Sequence, residues 1–307
     1  MHLAEGILPL SQAAVWTAVA VPAVAWSLRG EQQARHKSAS SSVMMSGVTS
    51  LLFAVTLLPL PVPVVGATSH ICLSPVLALI VGVRRMIWPV FFILLMQAVF
   101  FAHGGLTTLG VNTLALGLFG PLITVCLWGL IRKADAGNAL TLGIACGVGG
   151  LGVYVVDALV LAFALSSEVA PMTTFITVLI GFAPVQVPLA VVEAFISVGL
   201  IRQLAVRRPD LLPVGLRERF KPSSSMTTVS LIVLVMNVTG CDYEAIDETV
   251  FSATSDAAGR TPGDSLLDLS TGEFGLAMTV ILLFGLGFIA GRSWENLFRG
   301  DDDAFPR

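Results

Sequence analysis

Long apolar blocks separated by short polar ones set the pattern of this chain. The blocks run near 10–28, 43–60, 66–83, 86–102, 109–131, 139–165, 173–201, 226–240 and 274–291. A helix of about 20 apolar residues crosses a bilayer, so nine spans are predicted, the eighth short. Apolar and polar positions do not alternate within the blocks, which argues against a membrane barrel. A polar stretch, "RRPDLLPVGLRERFKPSSS" at 207–225, divides the pattern in two. Its Arg, Pro and Ser content marks a linker. The expected fold class is therefore all-α and polytopic, with about seven transmembrane helices plus a two-helix C-terminal hairpin. The expected units are 1–206, the linker 207–225, and a hairpin 226–307 around an acidic loop at 241–273.

Composition strengthens this reading. Apolar residues form 55% of the 307 positions and charged residues only 12%, against roughly 25% charged in a soluble domain. The placement of charge then gives an orientation. Sixteen of the seventeen Lys and Arg residues fall after odd-numbered spans; Arg260 alone falls on the other side. The positive-inside rule puts the N-terminus outside and the C-terminus in the cytoplasm. The loop 241–273 then lies outside, carrying Asp242, Glu244, Asp247, Glu248, Asp256, Asp264, Asp268 and Glu273. Such a face is ordinarily just solvated, and it also attracts cations. The opening "MHLAEGILPL" has no basic residue before Arg29. It does not read as a cleaved signal peptide, so Met1 and His2 are expected in the mature protein.

Several motifs carry no chemistry. "GVGGLG" at 147–152 has the spacing of a dinucleotide fingerprint but lies inside an apolar span, without a preceding strand or a later acidic partner. With Gly143 it reads as small-residue helix packing, as do Gly287 and Gly291. There is no Walker lysine motif. Cys126 and Cys146 read as packing residues. Cys72 reads as core filler in preference to a soft metal ligand. "VTGC", ending at Cys241, resembles a lipoprotein processing box, but its apolar run is internal. Asp157 and Glu193 sit inside spans, where an ionisable group is costly unless paired; a hydrogen-bonded helix contact is the first reading, a lining role the second.

The histidines are different. His36 lies in a basic loop. His2, His70 and His103 are all predicted at the outer ends of their segments. A lone membrane histidine is usually a packing residue; three on one face suggest a metal, for which imidazole is the commonest ligand.

At these residues a family likeness emerges. "MHLAEGILP", "GATSH", "QAVFFAHGGLTTLGVNTLALGLFGP" and "PVQVPLAVVEAF" resemble the cobalt/nickel substrate-capture components of energy-coupling factor transporters, the CbiM/NikM family. The likeness covers about residues 1–206. Residues 226–300 resemble a fused CbiN/NikN-like hairpin in architecture. The resemblance implies a non-enzymatic membrane component that binds Co²⁺ or Ni²⁺ as transported substrate, with no organic cofactor. It also implies a transmembrane coupling subunit and two cytoplasmic ATPases as partners. The metal ligands it implies are the Met1 amine, the backbone nitrogen and imidazole of His2, and His70, with His103 and Asn112 supporting them from behind. Chelate geometry favours this set, since the amine, the next backbone nitrogen and Nδ1 of one imidazole close a five- and a six-membered ring. "TSHICLSP" at 68–75 differs from the Cys-Ser-His-Pro-Thr-Gly-type run of many cobalt members, so cobalt and nickel both stay open, cobalt favoured. Two other classes compete. An intramembrane metalloenzyme would need a general base beside the metal, as in H-E-x-x-H, which is absent. A secondary transporter would lean on intramembrane charges and an internal repeat; the charges are few and no repeat is found.

Overall fold

The computed structural model describes residues 2–37, 39–58, 60–62, 67–133, 137–166, 169–220 and 244–260. Met1, Cys241 and the expected spans 226–240 and 274–291 lie outside the described residues. The helices are α1 (Leu10–Lys37), α2 (Ala39–Leu57), α3 (Ser74–Val81), α4 (Val83–Phe100), α5 (Leu109–Leu114), α6 (Gly120–Ile131), α7 (Asn138–Ala164), α8 (Pro171–Arg207), α9 (Val214–Arg219) and α10 (Ile246–Ala257). Among the described residues, five stretches are long and apolar enough to cross a membrane: Leu10–His36, Val83–Phe100, Leu109–Ile131, Asn138–Ala164 and Pro171–Arg207. The apolar part of α2, Ser41–Leu57, is somewhat shorter. Large apolar side chains such as Leu130, Phe163 and Ile180 point outward, as lipid-facing surfaces do. The chain is an all-α, multi-pass membrane protein.

One expected span takes another form. Residues 66–83 do not make a crossing helix. Strand β2 (Ala67–Ser69) is followed by an extended stretch and then by α3, which has only 8 residues. At 1.5 Å per residue α3 rises about 12 Å, less than half the hydrocarbon core. The helix starts late because Leu73 takes a left-handed conformation (φ 49°) and Pro75 follows at the first turn. β2 pairs antiparallel with β1 (Leu60–Val62), Leu60 opposite Ser69. On its other edge it pairs in parallel with β3 (Glu244–Ala245). Residues 244–245 thus pair directly with the strand that leads into His70.

The interior is built around α7, which packs between α6 and α8. Small residues allow this: a Cβ on Gly147 would stand 2.9 Å from the Ala190 carbonyl oxygen of α8. The "GVGGLG" run is a packing surface. Between α5 and α6 the backbone widens into one π turn, Ala115–Phe119. Ser74 of α3 donates its hydroxyl to the Leu116 carbonyl in that turn (2.8 Å), tying the short helix to the core.

The two ends of the bundle differ in chemistry. At one end Glu31, almost fully buried on α1, accepts from Arg85 of α4 (2.7 Å) and Arg35 (3.0 Å). Arg85 also donates to Ser41 of α2. Arg219 donates to the Arg132 carbonyl and to Asn138 at the same kind of polar end. α4 runs away from Arg84 and Arg85, and His103 follows three residues after its last turn. The histidines lie at the far end from this cationic cluster.

Candidate metal centre

The chain begins as an irregular segment buried among helices. His2, Leu3, Glu5, Ile7 and Leu8 are all buried. Non-helical backbone at this depth requires partners for its polar groups, and α5 and the turn before it supply them. The Leu3 N–H donates to Asn112 Oδ1 (2.9 Å), and the Leu3 carbonyl accepts from Asn112 Nδ2 (3.1 Å). The Thr108 hydroxyl donates to the same carbonyl (2.5 Å). Asn112 therefore grips both backbone groups of the residue next to His2, a two-point contact its amide is shaped for. Glu5 accepts from the Leu106 N–H (2.7 Å), the Thr107 N–H (3.2 Å) and the Thr107 hydroxyl. Its carboxylate is thereby engaged in the 105–107 turn.

A third anchor comes from the far end of the sequence. The Arg260 guanidinium donates to the carbonyls of Gly6 (3.0 Å), Ile7 (3.1 Å) and Leu8 (3.1 Å). Arg260 stands just after α10, which lies against α8 through Phe251 and Phe182, ring centroids 5.0 Å apart. α8 approaches closely at Gly181, where a Cβ would meet Val250 Cγ2 at 2.9 Å.

His70 follows β2 on a loop held by α7 and α8. Gln186 Nε2 donates to Ser69 Oγ (2.7 Å), and the Tyr154 hydroxyl lies 3.4 Å from the same oxygen. Beyond the histidine, Glu193 Oε1 accepts the Leu73 N–H (2.8 Å). Burial pushes the Cys72 thiol well above its ordinary range, as suits a small apolar filler in the metal-free protein. His103 is delivered by a hook. α4 ends at Phe100 and is capped by Phe101, Ala102 turns left-handed (φ 48°), and Gly104 does so again (φ 84°). The His103 N–H is held by the Gln97 carbonyl (3.1 Å). A Cβ on Gly104 would come within 3.2 Å of His2 Cβ, so this loop is moulded against His2.

These three loops bring three imidazoles together. Ring centroids are 5.2 Å apart for His2 and His70, 4.9 Å for His2 and His103, and 5.9 Å for His70 and His103. One nitrogen from each ring lies within 4.8 Å of the others. His2 and His70 are buried and His103 partly so. Distances of this size let one ion of about 2 Å metal–nitrogen bond length contact all three after small ring movements.

A family profile described as the cobalt uptake substrate-specific transmembrane region, CbiM, matches residues 2–211. The chain belongs to the CbiM family. A cobalt transport protein CbiM of Geobacter sulfurreducens is 30% identical over 312 residues, spanning 97% of this chain and 90% of the relative. One from Sorangium cellulosum is 35% identical over 226 residues, 73% of this chain and all of the relative. Two crystal structures share the fold. One, of a transition metal transporter, has a TM-score of 0.58 at 20% identity, covering 71% of this chain and 97% of that one. The other, of a truncated transition metal transporter, has a TM-score of 0.55 at 22% identity, covering 66% and 98%.

Of the five residues singled out from sequence, four lie near one another: His2, His70 and His103 as one cluster, with Asn112 bonded next to His2. Met1 is outside the described residues. Glu5, Thr108, Gln186, Tyr154 and Arg260 were not read as parts of this frame. Arg260 did carry a signal, as the one basic residue on the acidic side. Glu193 carried one too, and its helix-to-loop hydrogen bond matches the simpler of the two readings given to it.

Proposed function

We propose that this protein is the substrate-binding membrane component of an energy-coupling factor transporter that takes up a divalent transition metal, cobalt or nickel, with cobalt favoured. The observation that carries this reading is the meeting of three imidazoles at one end of a membrane bundle, each on its own braced loop. Met1 (through its amine), His2 (through its backbone nitrogen and imidazole) and His70 bind the ion, with His103 and Asn112 flanking them. The buried segment 2–8 supports this, because its hydrogen bonds hold Leu3 through Glu5 in place while leaving the His2 ring among the other two. Metal enters from outside, where the N-terminus lies, and the protein itself performs no catalysis. A transmembrane coupling subunit and two cytoplasmic ATPases drive release to the cytoplasm, where the C-terminus lies. The chain works as a metal-binding unit at 1–206, a linker at 207–225 and a CbiN/NikN-like hairpin at 226–307. The membership in a family of cobalt uptake regions and the names of its relatives support the metal and the direction of transport.

The test is metal uptake into proteoliposomes holding the full chain with and without the coupling and ATPase subunits, together with metal analysis of the purified protein. Uptake is expected only with the partners and ATP. His2→Ala and His70→Ala are expected to abolish both binding and uptake, and one Ala inserted between Met1 and His2 to impair both by rebuilding the chelate with other rings. Normal binding in all three would refute the site.

A further inference from the structure

α7 and α8 cross so closely that their contact forms a groove on the outer surface of the bundle. Where Gly147 meets α8, a Cβ would stand 2.9 Å from the Ala190 carbonyl oxygen. A Cβ on Gly143 would stand 3.4 Å from that of Ala194. These small residues make the floor. Larger side chains rise on either side, Ile144 and Val148 from α7 and Val191 and Phe195 from α8, all of them exposed. The groove holds about 510 Å³. Its lining is apolar except at one end, where Arg202 closes it.

The length of the groove narrows what can fill it. It runs from Ala139 to Leu151 along α7 and from Val187 to Arg202 along α8, about 18 and 22 Å at 1.5 Å per residue. Half of a bilayer's hydrocarbon core is about 15 Å, whereas a crossing helix spans about 30 Å. The groove therefore accommodates an acyl chain of one leaflet and is too short to seat a crossing helix along its whole length. It opens at the end of the bundle away from the histidines. It stops short of Tyr154 and Gln186, which hold Ser69 on the inner side of the same two helices.

The charge at the open end narrows it further. Arg85 and Arg208 are paired with Glu31 and Asp210. Arg202 is exposed and has no carboxylate partner among the described residues, and no described Asp or Glu lines the groove. Glu193, also on α8, faces the other way and accepts the Leu73 N–H (2.8 Å). A second guanidinium, that of Arg219, stands 3.0 Å from Asn138, the residue before the first lining position. An arginine lays its stem along apolar surface and keeps its head at the interface, where the guanidinium is shaped for paired hydrogen bonds to phosphate.

We propose that this groove is a binding site for an anionic phospholipid of the leaflet opposite the histidine end. One acyl chain lies between α7 and α8 over Gly143 and Gly147, and Arg202 holds the phosphate. The chain supplies contacts to walls that otherwise line an unfilled space. With two guanidinium groups at its mouth and no described carboxylate in its lining, the site repels the ammonium of a zwitterionic headgroup and favours a headgroup with net negative charge.

The test is native mass spectrometry of the full chain, purified in mild detergent, stripped of lipid and titrated with phosphatidylglycerol or phosphatidylcholine of identical acyl chains. One tightly held lipid is expected, with phosphatidylglycerol preferred about fivefold or more, since one cation at the interface contributes about 1 kcal/mol toward an anionic lipid. Arg202→Gln is expected to lose most of that preference, whereas Arg29→Gln, exposed on α1 at the same end, keeps it. Gly199→Leu tests the seat of the chain. Gly199 lines the groove, and a Cβ there meets nothing within 4 Å. Leucine is also a better helix former than glycine, so this variant folds and fills the space. It is expected to hold either lipid about tenfold more weakly or worse, since the side chain takes the place of several buried methylenes. Equal retention of the two lipids by the wild type would overturn the proposal, as would an intact preference in Arg202→Gln or undiminished retention in Gly199→Leu. A groove covered by a protein helix instead would show as a wild type that holds no lipid tightly, which also overturns it.

Discussion

Glu193 offers the sharpest check on how the site is held. It is 3% exposed on α8, and its carboxylate accepts backbone N–H groups of Leu73 (2.8 Å) and Cys72 on the loop just past His70. Leu73 is also left-handed, so the loop pays a conformational cost at the point where Glu193 holds it. Glu193→Leu keeps the bulk and removes the acceptor. A buried N–H left without a partner costs about 1–3 kcal/mol. If the loop then opens in the metal-free protein, that energy appears as weaker binding, roughly five- to 150-fold, since about 1.4 kcal/mol is tenfold. Glu193→Gln keeps one acceptor oxygen and is expected to stay within about threefold of wild type. The assay is equilibrium dialysis of Co²⁺ against the purified full chain, with thermal unfolding of the metal-free protein alongside it. Gly150→Ala is an independent probe, because a Cβ there would stand 2.6 Å from Glu193 Oε2 and must displace the carboxylate. Wild-type affinity and stability in Glu193→Leu would refute the bracing role. A loss in Glu193→Gln as large as in Glu193→Leu would show that charge, rather than an acceptor, is what the loop needs.

Three further outcomes follow from the same contacts. Arg260→Gln breaks the clamp on Gly6, Ile7 and Leu8; allowing for solvent at this half-buried group, about 1–2 kcal/mol is lost, a five- to 30-fold drop in metal affinity. Hydrogen exchange of the amides in 3–8 is expected to speed up in that variant, and unchanged protection would refute the clamp. Metal binding is expected to weaken as pH falls, because protons compete for the ligand nitrogens of His2 and His70; dialysis at a series of pH values checks the sign, and tighter binding in acid would contradict imidazole ligation. At the opposite end, Glu31→Ala removes the main acceptor of Arg85, while the half-exposed Arg35 returns to water; with that solvent screening the change is expected to cost about 1–2 kcal/mol, lowering the thermal midpoint while leaving Co²⁺ affinity unchanged.

The sequence alone carried the class of the protein, because membrane helices announce themselves by composition. Lipid demands long apolar stretches, and among the described residues five of the predicted spans are continuous helical stretches of that kind. It also carried His2, His70 and His103, because each is a polar residue at the end of an apolar block. It misread 66–83, since apolar composition does not distinguish a crossing helix from a strand, a turn and a short helix buried among other helices. The pairings that frame the site were not legible, although Asn112, Glu193 and Arg260 each stood out in the sequence. Leu3 meets Asn112 from 109 positions away, Leu73 meets Glu193 from 120, and Arg260 reaches Ile7 from 253. Each satisfies a backbone group of an irregular segment, a need that exists only once that segment is buried. Where three loops close over one another, the partner of a carbonyl is set by packing distance in space, and no local pattern of residue types encodes it.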